Sequence, residues 1–304
     1  MVVMWPALRA RFRINKMPLL RTLLTALLIL TVLSGCSANR FLYNRLDTFV
    51  NWWIDDYVAL SVEQQGAFDA GLSSVLRWHR YDELPRYKTI IAESLAALEG
   101  GVTLVEAELI ADGIDQAVMR LQGQMLELLL DVGDLLTDEQ IAEFLSTIDD
   151  DQASYRDKRL SRSNDEYFED SADSLEDLAK RLLGRLTREQ KQLVASTSRE
   201  LTRLDGLWYA DREKWGASLR AILEQRTDDW RGDIIALVED REAERIPDYV
   251  TAIDRNGEII LVLLVDVINS RSERQDRRLR DFLTDLTEDI DALSARIEPA
   301  IDEA

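Results

Sequence analysis

Residues 114–140 read IDQAVMRLQGQMLELLLDVGDLLTDEQ, and two patterns in them decide the fold. Ile114, Val118, Leu121, Met125, Leu128, Val132 and Leu135 recur at alternating spacings of four and three, which lines one face of an α-helix for three heptads. That periodicity gives way to Leu136-Thr137-Asp138-Glu139-Gln140, a helix start. A threonine hydroxyl at such a position accepts a backbone N–H of the first turn, and a glutamine three residues on reaches back to the cap's own N–H. Leu136 before the cap and Ile141 in the first turn complete a hydrophobic staple.

The same spacing returns at Leu175, Leu178, Leu182 and Leu186, and, with one polar break, at Leu201, Leu204, Trp208, Trp215, Leu219 and Ile222. No proline falls between Pro85 and Pro247, and beyond Pro247 there is only Pro299. The pattern predicts an all-α protein, an elongated multi-helix bundle of about eight helices. Their expected spans are 40–58, 62–80, 83–98, 104–134, 138–160, 165–185, 188–245 and 248–296, the last broken near Asn269. Gly100-Gly101 and Asn256-Gly257 are the clearest breakers, the second a break or only a kink. The apolar run Ile259 to Ile268 reads as a buried helix, because no partner strand exists elsewhere. Residues 41–304 are expected as a single elongated helical domain, with possible subdivision near 100 and near 247.

The cap motif repeats as Leu60-Ser61-Val62-Glu63-Gln64 and as Leu186-Thr187-Arg188-Glu189-Gln190, with a degenerate copy from Ser270 to Glu273. Ser61, Thr137 and Thr187 are read as caps contributing about 0.5–2 kcal/mol each, and Gln64, Gln140 and Gln190 as their reciprocal partners, the loss of Gln140 or Gln190 being expected to cost less than that of the threonines. As a set, the L-[S/T]-x-x-Q copies resemble the repeated motif of the Spy/CpxP family of periplasmic helical chaperones and stress sensors. That resemblance implies a cradle of helices shielding unfolded clients without nucleotide.

The start of the chain is of another kind. Arg9, Arg11, Arg13, Lys16 and Arg21 precede an apolar run from Thr22 to Leu33, too short to span a bilayer, which takes about 20 apolar residues. Met1 and Met17 both leave such an export signal intact. The run ends in Leu33-Ser34-Gly35-Cys36, which resembles the lipobox of bacterial lipoproteins. The resemblance implies a signal peptide over 1–35, a diacylglyceryl group on the Cys36 sulfur, a further acyl chain on its new amino terminus, and a lipidated tether over 36–40. Stable anchoring takes more than one chain. Ser37, rather than aspartate, stands after the cysteine, which resembles the sorting signal for the outer membrane.

With Cys36 acylated, no disulfide is possible, since the chain holds 1 Cys, and the fold must rely on its apolar core. Without the five cations of residues 1–35, 32 Lys+Arg face 57 Asp+Glu over 269 mature residues, a charge of −25. That balance repels nucleic acid and anionic head groups.

An aromatic segment comes next to the tether. Asn51-Trp52-Trp53-Ile54-Asp55-Asp56-Tyr57, then Trp78-His79-Arg80 and Glu83-Leu84-Pro85-Arg86-Tyr87, with Tyr43-Asn44-Arg45-Leu46-Asp47 ahead of them, resemble the opening of an uncharacterised family of proteobacterial outer-membrane lipoproteins. That resemblance implies a location and a helical fold. Read physically, Leu42, Leu46, Phe49, Trp53 and Tyr57 form one core-facing stripe, and Asp55 and Asp56 are placed to pair with Arg77, Arg80 or Arg86. His79, the sole histidine, reads as capping carbonyls or stacking at a helix end, with Asp82 capping the helix that begins at Glu83-Leu84-Pro85.

One histidine excludes His-x-x-x-His metal pairs, and Leu76 stands where the Glu of a di-iron Glu-x-x-His would be. No free thiol remains, and G-x-S-x-G, phosphate-loop and G-x-G-x-x-G signatures are missing. Asp149-Asp150-Asp151 lacks the glycine and spacing of a calcium loop, and Arg231-Gly232-Asp233 falls inside an expected helix. No cofactor, metal or nucleic acid is expected, and no enzymatic activity. The partners expected are the membrane, through the lipid anchor, and other envelope proteins. The reading is a periplasm-facing lipoprotein acting through protein–protein contacts, chaperone-like or in assembly. A structural or envelope-stress accessory and a cell-wall glycan hydrolase are the alternatives, the hydrolase requiring a cleft with paired buried carboxylates.

Overall fold

A computed structural model describes residues 36–295. The expected signal peptide, with the expected lipobox residues Leu33, Ser34 and Gly35, lies outside the described residues. The described chain is all-α: α1 (Cys36–Tyr43), α2 (Leu46–Asp55), α3 (Val62–Trp78), α4 (Leu84–Ala97), α5 (Leu104–Gly133), α6 (Asp138–Tyr155), α7 (Asn164–Leu183), α8 (Arg188–Ser198), α9 (Asp205–Gln225), α10 (Trp230–Glu239), α11 (Pro247–Asn269) and α12 (Glu273–Ser294). No strand occurs among the described residues, and Ile259–Ile268 lies within α11 as the buried-helix reading expects. Residues 36–40, expected as a tether, open α1.

Four apolar clusters hold the bundle. Val50 and Ile54 of α2 meet Phe68 and Leu72 of α3 and the heptad face of α5, where Leu121, Met125, Leu128 and Val132 are buried. The ends of that face, Ile114 and Leu135, are exposed. Leu175, Ala179 and Leu183 of α7 pack with Val194 of α8, Leu263 and Val267 of α11 and Leu279 of α12. Tyr43, Leu46, Leu84 and Ile91 meet Ile290 and Leu293, so the last helix closes over the first and the fourth. Leu130 of α5 joins Leu219 of α9 and Trp230 and Ile234 of α10. The 30-residue α5 thus serves two clusters with its two faces.

The chain breaks more often than the eight expected helices require, at places where side chains grip backbone. Asn44 and Arg45 separate α1 from α2 within the expected 40–58 span. The expected helix over 188–245 divides twice. At the first break the Asn256 amide accepts from Thr202 N–H at 2.8 Å and donates to Thr202 C=O at 2.8 Å. At the second, Arg226 turns left-handed (φ 40°) and its guanidinium donates to carbonyls at the end of α5 and just beyond, reaching Leu136 C=O at 2.7 Å. Asn256-Gly257, read as a breaker or only a kink, sits inside α11, with the Asn256 side chain bonded to the neighbouring loop. Asn269 holds Val102 in the same two-bond manner, 2.8 Å each way, at the turn where Gly101 has φ 88°.

The helices expected over 62–80 and 83–98 are not separated by a loop. His79–Glu83 forms one wide π turn that joins α3 to α4, and Asp82 is exposed and caps nothing. Pro85 has no N–H to give a helical bond, and a wider turn before it relieves the clash of its ring with the preceding carbonyls.

Candidate functional site

The repeated cap motifs do more than start helices. Ser61, Thr137 and Thr187 each accept from the backbone N–H of the glutamine three residues on, and that glutamine's Oε1 accepts from the cap N–H. The fourth copy is Ser272-Glu273-Arg274-Gln275 rather than Ser270–Glu273. Thr103/Glu106 and Ser163/Glu166 are further capping boxes, which a pattern ending in glutamine misses. Beyond the caps, the glutamines pair. Gln64 and Gln140 exchange two amide hydrogen bonds of 2.8 Å each, so the starts of α3 and α6 are clasped together. Gln190 and Gln275 do the same at 2.9 and 3.3 Å, clasping α8 to α12. These amides also donate to carbonyls: Gln64 to Leu135, Gln140 to Ala59, Gln275 to Arg185. Gln190 is 2% exposed. The glutamines thus hold bonds beyond the cap, which the reading of them as reciprocal cap partners does not include.

The signature residues around the π turn build a second buried polar cluster. His79 bridges two tyrosines, its Nδ1 2.8 Å from Tyr43 Oη and its Nε2 3.2 Å from Tyr87 Oη, and it stacks on Tyr43. It meets side-chain hydroxyls, not helix carbonyls. Glu83, fully buried, takes Arg120 of α5 in a fork with contacts of 2.6, 2.9 and 3.1 Å. Arg86 stands 3.8 Å from the same carboxylate. Arg80 reaches Asn44 at 2.6 Å. Pro85 is exposed, and Trp78 is half-buried. Asp55 and Asp56 are exposed and make no ion pair with Arg77, Arg80 or Arg86; Arg80 and Arg86 turn to Asn44 and Glu83 instead. Trp52 is exposed, while Trp53 and Tyr57 turn inward.

Burial pushes the His79 imidazole down to about 4, so the ring is neutral in the folded chain. Its unfolded counterpart takes a proton near pH 6.5. Between these values the unfolded chain binds more protons, and folding stability falls as pH drops from about 6.5 to about 4. Urea denaturation at a series of pH values should show the stability advantage of wild type over His79→Asn shrinking across that window. A constant difference would exclude a buried neutral imidazole.

The buried carboxylates Glu83, Asp205, Asp211 and Asp289 are each held by arginine: Arg120, Arg162 with Arg203, Arg241 and Arg40 respectively. None of the four stands against another as an acid–base pair. Asp149, which meets Arg220 at 2.6 Å, and Asp150 are exposed as expected, while Asp151 is half-buried and accepts from Tyr57 at 2.8 Å. Among the described residues no cluster of His, Cys, Asp and Glu is placed to hold a metal ion, and no helix is long and apolar enough to cross a membrane.

A large apolar cavity, of about 620 Å³, opens between α2, α5, α6, α9 and α10. Trp53 and Tyr57 form one wall, Leu126, Leu129 and Leu130 another, Phe144 and Ile148 a third, and Trp215, Leu223 and Trp230 close it. Gly216 lies on the α9 wall, where an added Cβ would meet nothing within 4 Å. A glycine inside a helix costs about 0.5–1 kcal/mol relative to alanine, and here that cost leaves room rather than permitting close packing. Three buried polar atoms on lining residues have no partner: Arg212 Nη2, Trp215 Nε1 and Gln152 Oε1. Arg212 stacks over Trp208 at 5.0 Å, and burial lowers its pKa. Beside it burial and Asp151 push the Tyr57 hydroxyl up. In sequence the aromatic residues of this wall read as core stripes, and nothing in their spacing marks a void.

Residues 56–250 match the model of DUF6279, a family of unknown function, and that span holds most of the cavity lining, the π turn and three of the four cap motifs. No curated protein and no solved structure matches the chain. On the extent of that match, the chain belongs to the DUF6279 family.

Proposed function

We propose that this chain is a lipid-anchored, periplasm-facing protein of the outer membrane that acts by non-covalent contact with other envelope proteins, in a chaperone-like or assembly role. The observation that carries the reading is the apolar cavity, walled by Trp53, Tyr57, Phe144, Trp215 and Trp230. An apolar segment of an unfolded polypeptide gains by taking its side chains out of water into such a cavity. Anchoring at Cys36, with Ser37 as sorting residue, would put the cavity on the route of exported proteins before they fold.

The test uses the mature lipidated chain in nanodiscs, so that micelles do not mimic the activity. Wild type should delay aggregation of an unfolded test protein. Gly216→Phe, which fills the cavity from a position with no neighbour to displace, should lose that effect while melting at no lower temperature. Wild type that fails to delay aggregation at several-fold molar excess sinks the chaperone-like reading. Activity retained in the filled variant removes the cavity from it.

A further inference from the structure

Five arginines from two segments distant in sequence meet in one depression. Arg181 and Arg185 flank the end of α7, Arg188 opens α8, and Arg274 and Arg278 belong to the start of α12; together they line a hollow of about 990 Å³. Arginines elsewhere, such as Arg120, Arg162, Arg231 and Arg280, are held by carboxylates. These five are exposed, and among the described residues no ion pair, hydrogen bond or ring contact engages their side chains. Asp281 and Asp285 also line the hollow and leave an excess of three positive charges in a chain that is otherwise strongly acidic.

Local helix stability accounts for Arg181, near a helix C-terminus, but not for the others. Arg188 and Arg274 stand in first turns, where the helix dipole disfavours a cation. Gly184 takes φ 74°, and an added Cβ would come within 2.9 Å of Arg278 Cδ, so the chain gives way there to let that side chain cross into the hollow. Asn39, three residues from the anchor cysteine, forms part of the same wall and is tied to Asp289 at 3.0 Å.

We propose that this depression receives the phosphate-bearing head groups of anionic phospholipids in the membrane that holds the chain, turning the body so that the α7–α8 junction and the start of α12 face the bilayer. The inference rests on the anchored reading of Cys36. Guanidinium groups bind phosphate in two-bond forks and stay charged. The net charge of the chain is strongly negative, so attraction of an anionic surface to one arginine-lined hollow near Cys36 favours one orientation.

The experiment uses the mature lipidated chain carrying Thr284→Cys, an exposed position on α12 between Asp281 and Asp285. With Cys36 acylated this is the sole free thiol, and it takes an environment-reporting dye. The chain is placed in nanodiscs of phosphatidylcholine containing a head-group quencher, with or without phosphatidylglycerol. Quenching should be several-fold stronger with phosphatidylglycerol, and it should fade at high salt. It should also be lost in Arg185→Glu/Arg274→Glu/Arg278→Glu, which removes no native ion pair. Equal quenching in both lipids overturns the proposal, and that wild-type comparison stands even if the triple variant does not fold. Inorganic phosphate that raises the melting temperature in pure phosphatidylcholine nanodiscs, together with equal quenching in both lipids, assigns the hollow to a free ion and overturns membrane docking. Fatty-acid labelling that persists in Cys36→Ala refutes the anchor itself. Labelling that depends on Cys36, with no lipid dependence of quenching, refutes this inference alone.

Discussion

Arg120→Met should lower the stability of the folded chain by about 3–5 kcal/mol, the range for breaking a buried ion pair from one side. Glu83 is fully buried, and Arg120 supplies every short contact to its carboxylate. The remaining cation, Arg86, is 3.8 Å away with a side chain 57% exposed, so it replaces little of what is lost. The pair also joins the π turn to α5, and its loss loosens the junction between the clusters around Phe68 and Leu84. Replacing both partners, Glu83→Leu with Arg120→Met, should recover most of the loss, because no charge is then left buried. Chemical denaturation followed by circular dichroism measures both. A single variant as stable as wild type would mean that water reaches Glu83.

Gln190→Ala should cost about 2–4 kcal/mol, more than the roughly 1 kcal/mol expected for Thr187→Ala. The threonine supplies one acceptor at 3.2 Å to a first-turn N–H. The glutamine accepts from the Thr187 N–H at 2.9 Å and exchanges two bonds with Gln275 across the helix pair. Its removal leaves Gln275 with an unmet donor or acceptor in the interior. The loss in Gln190→Ala/Gln275→Ala should therefore fall short of the sum of the single losses, because each change already orphans the other partner. Gln140→Ala, at the more exposed clasp, should cost less than Gln190→Ala. Equal costs for Thr187 and Gln190 would reduce the motif to a cap.

The helical class, the heptad face of α5 and the cap hydroxyls are legible in the sequence because they depend on neighbours within a turn or two. Ser61, Thr137 and Thr187 are recognisable from the glutamine three residues downstream of each. The pairing of those glutamines is not, since Gln64 meets Gln140 across 76 residues and Gln190 meets Gln275 across 85. The breaks at 199–204 and 226–229 carry no glycine or proline; they are set by Asn256 and Arg226 acting on distant backbone. The π turn hides behind a proline that reads equally well as the first residue of a new helix. Net charge does not reveal the hollow either, because its arginines come from two distant segments and are outnumbered by acidic residues in the chain as a whole. The cavity is illegible for a plainer reason: a wall of tryptophan and leucine has the same spacing whether the space beside it is filled or empty.

The contact of α12 with α1 sets the order in which the molecule can be completed. Asn39 and Arg40 find Asp289 across about 250 residues, and Tyr43 and Leu46 wait for Ile290 and Leu293. A chain exported from its amino end emerges with its first helix long before the last one exists. On the anchored reading proposed above, Cys36 would be acylated on a stretch not yet packed, and the body would settle against that anchor only after α12 arrives.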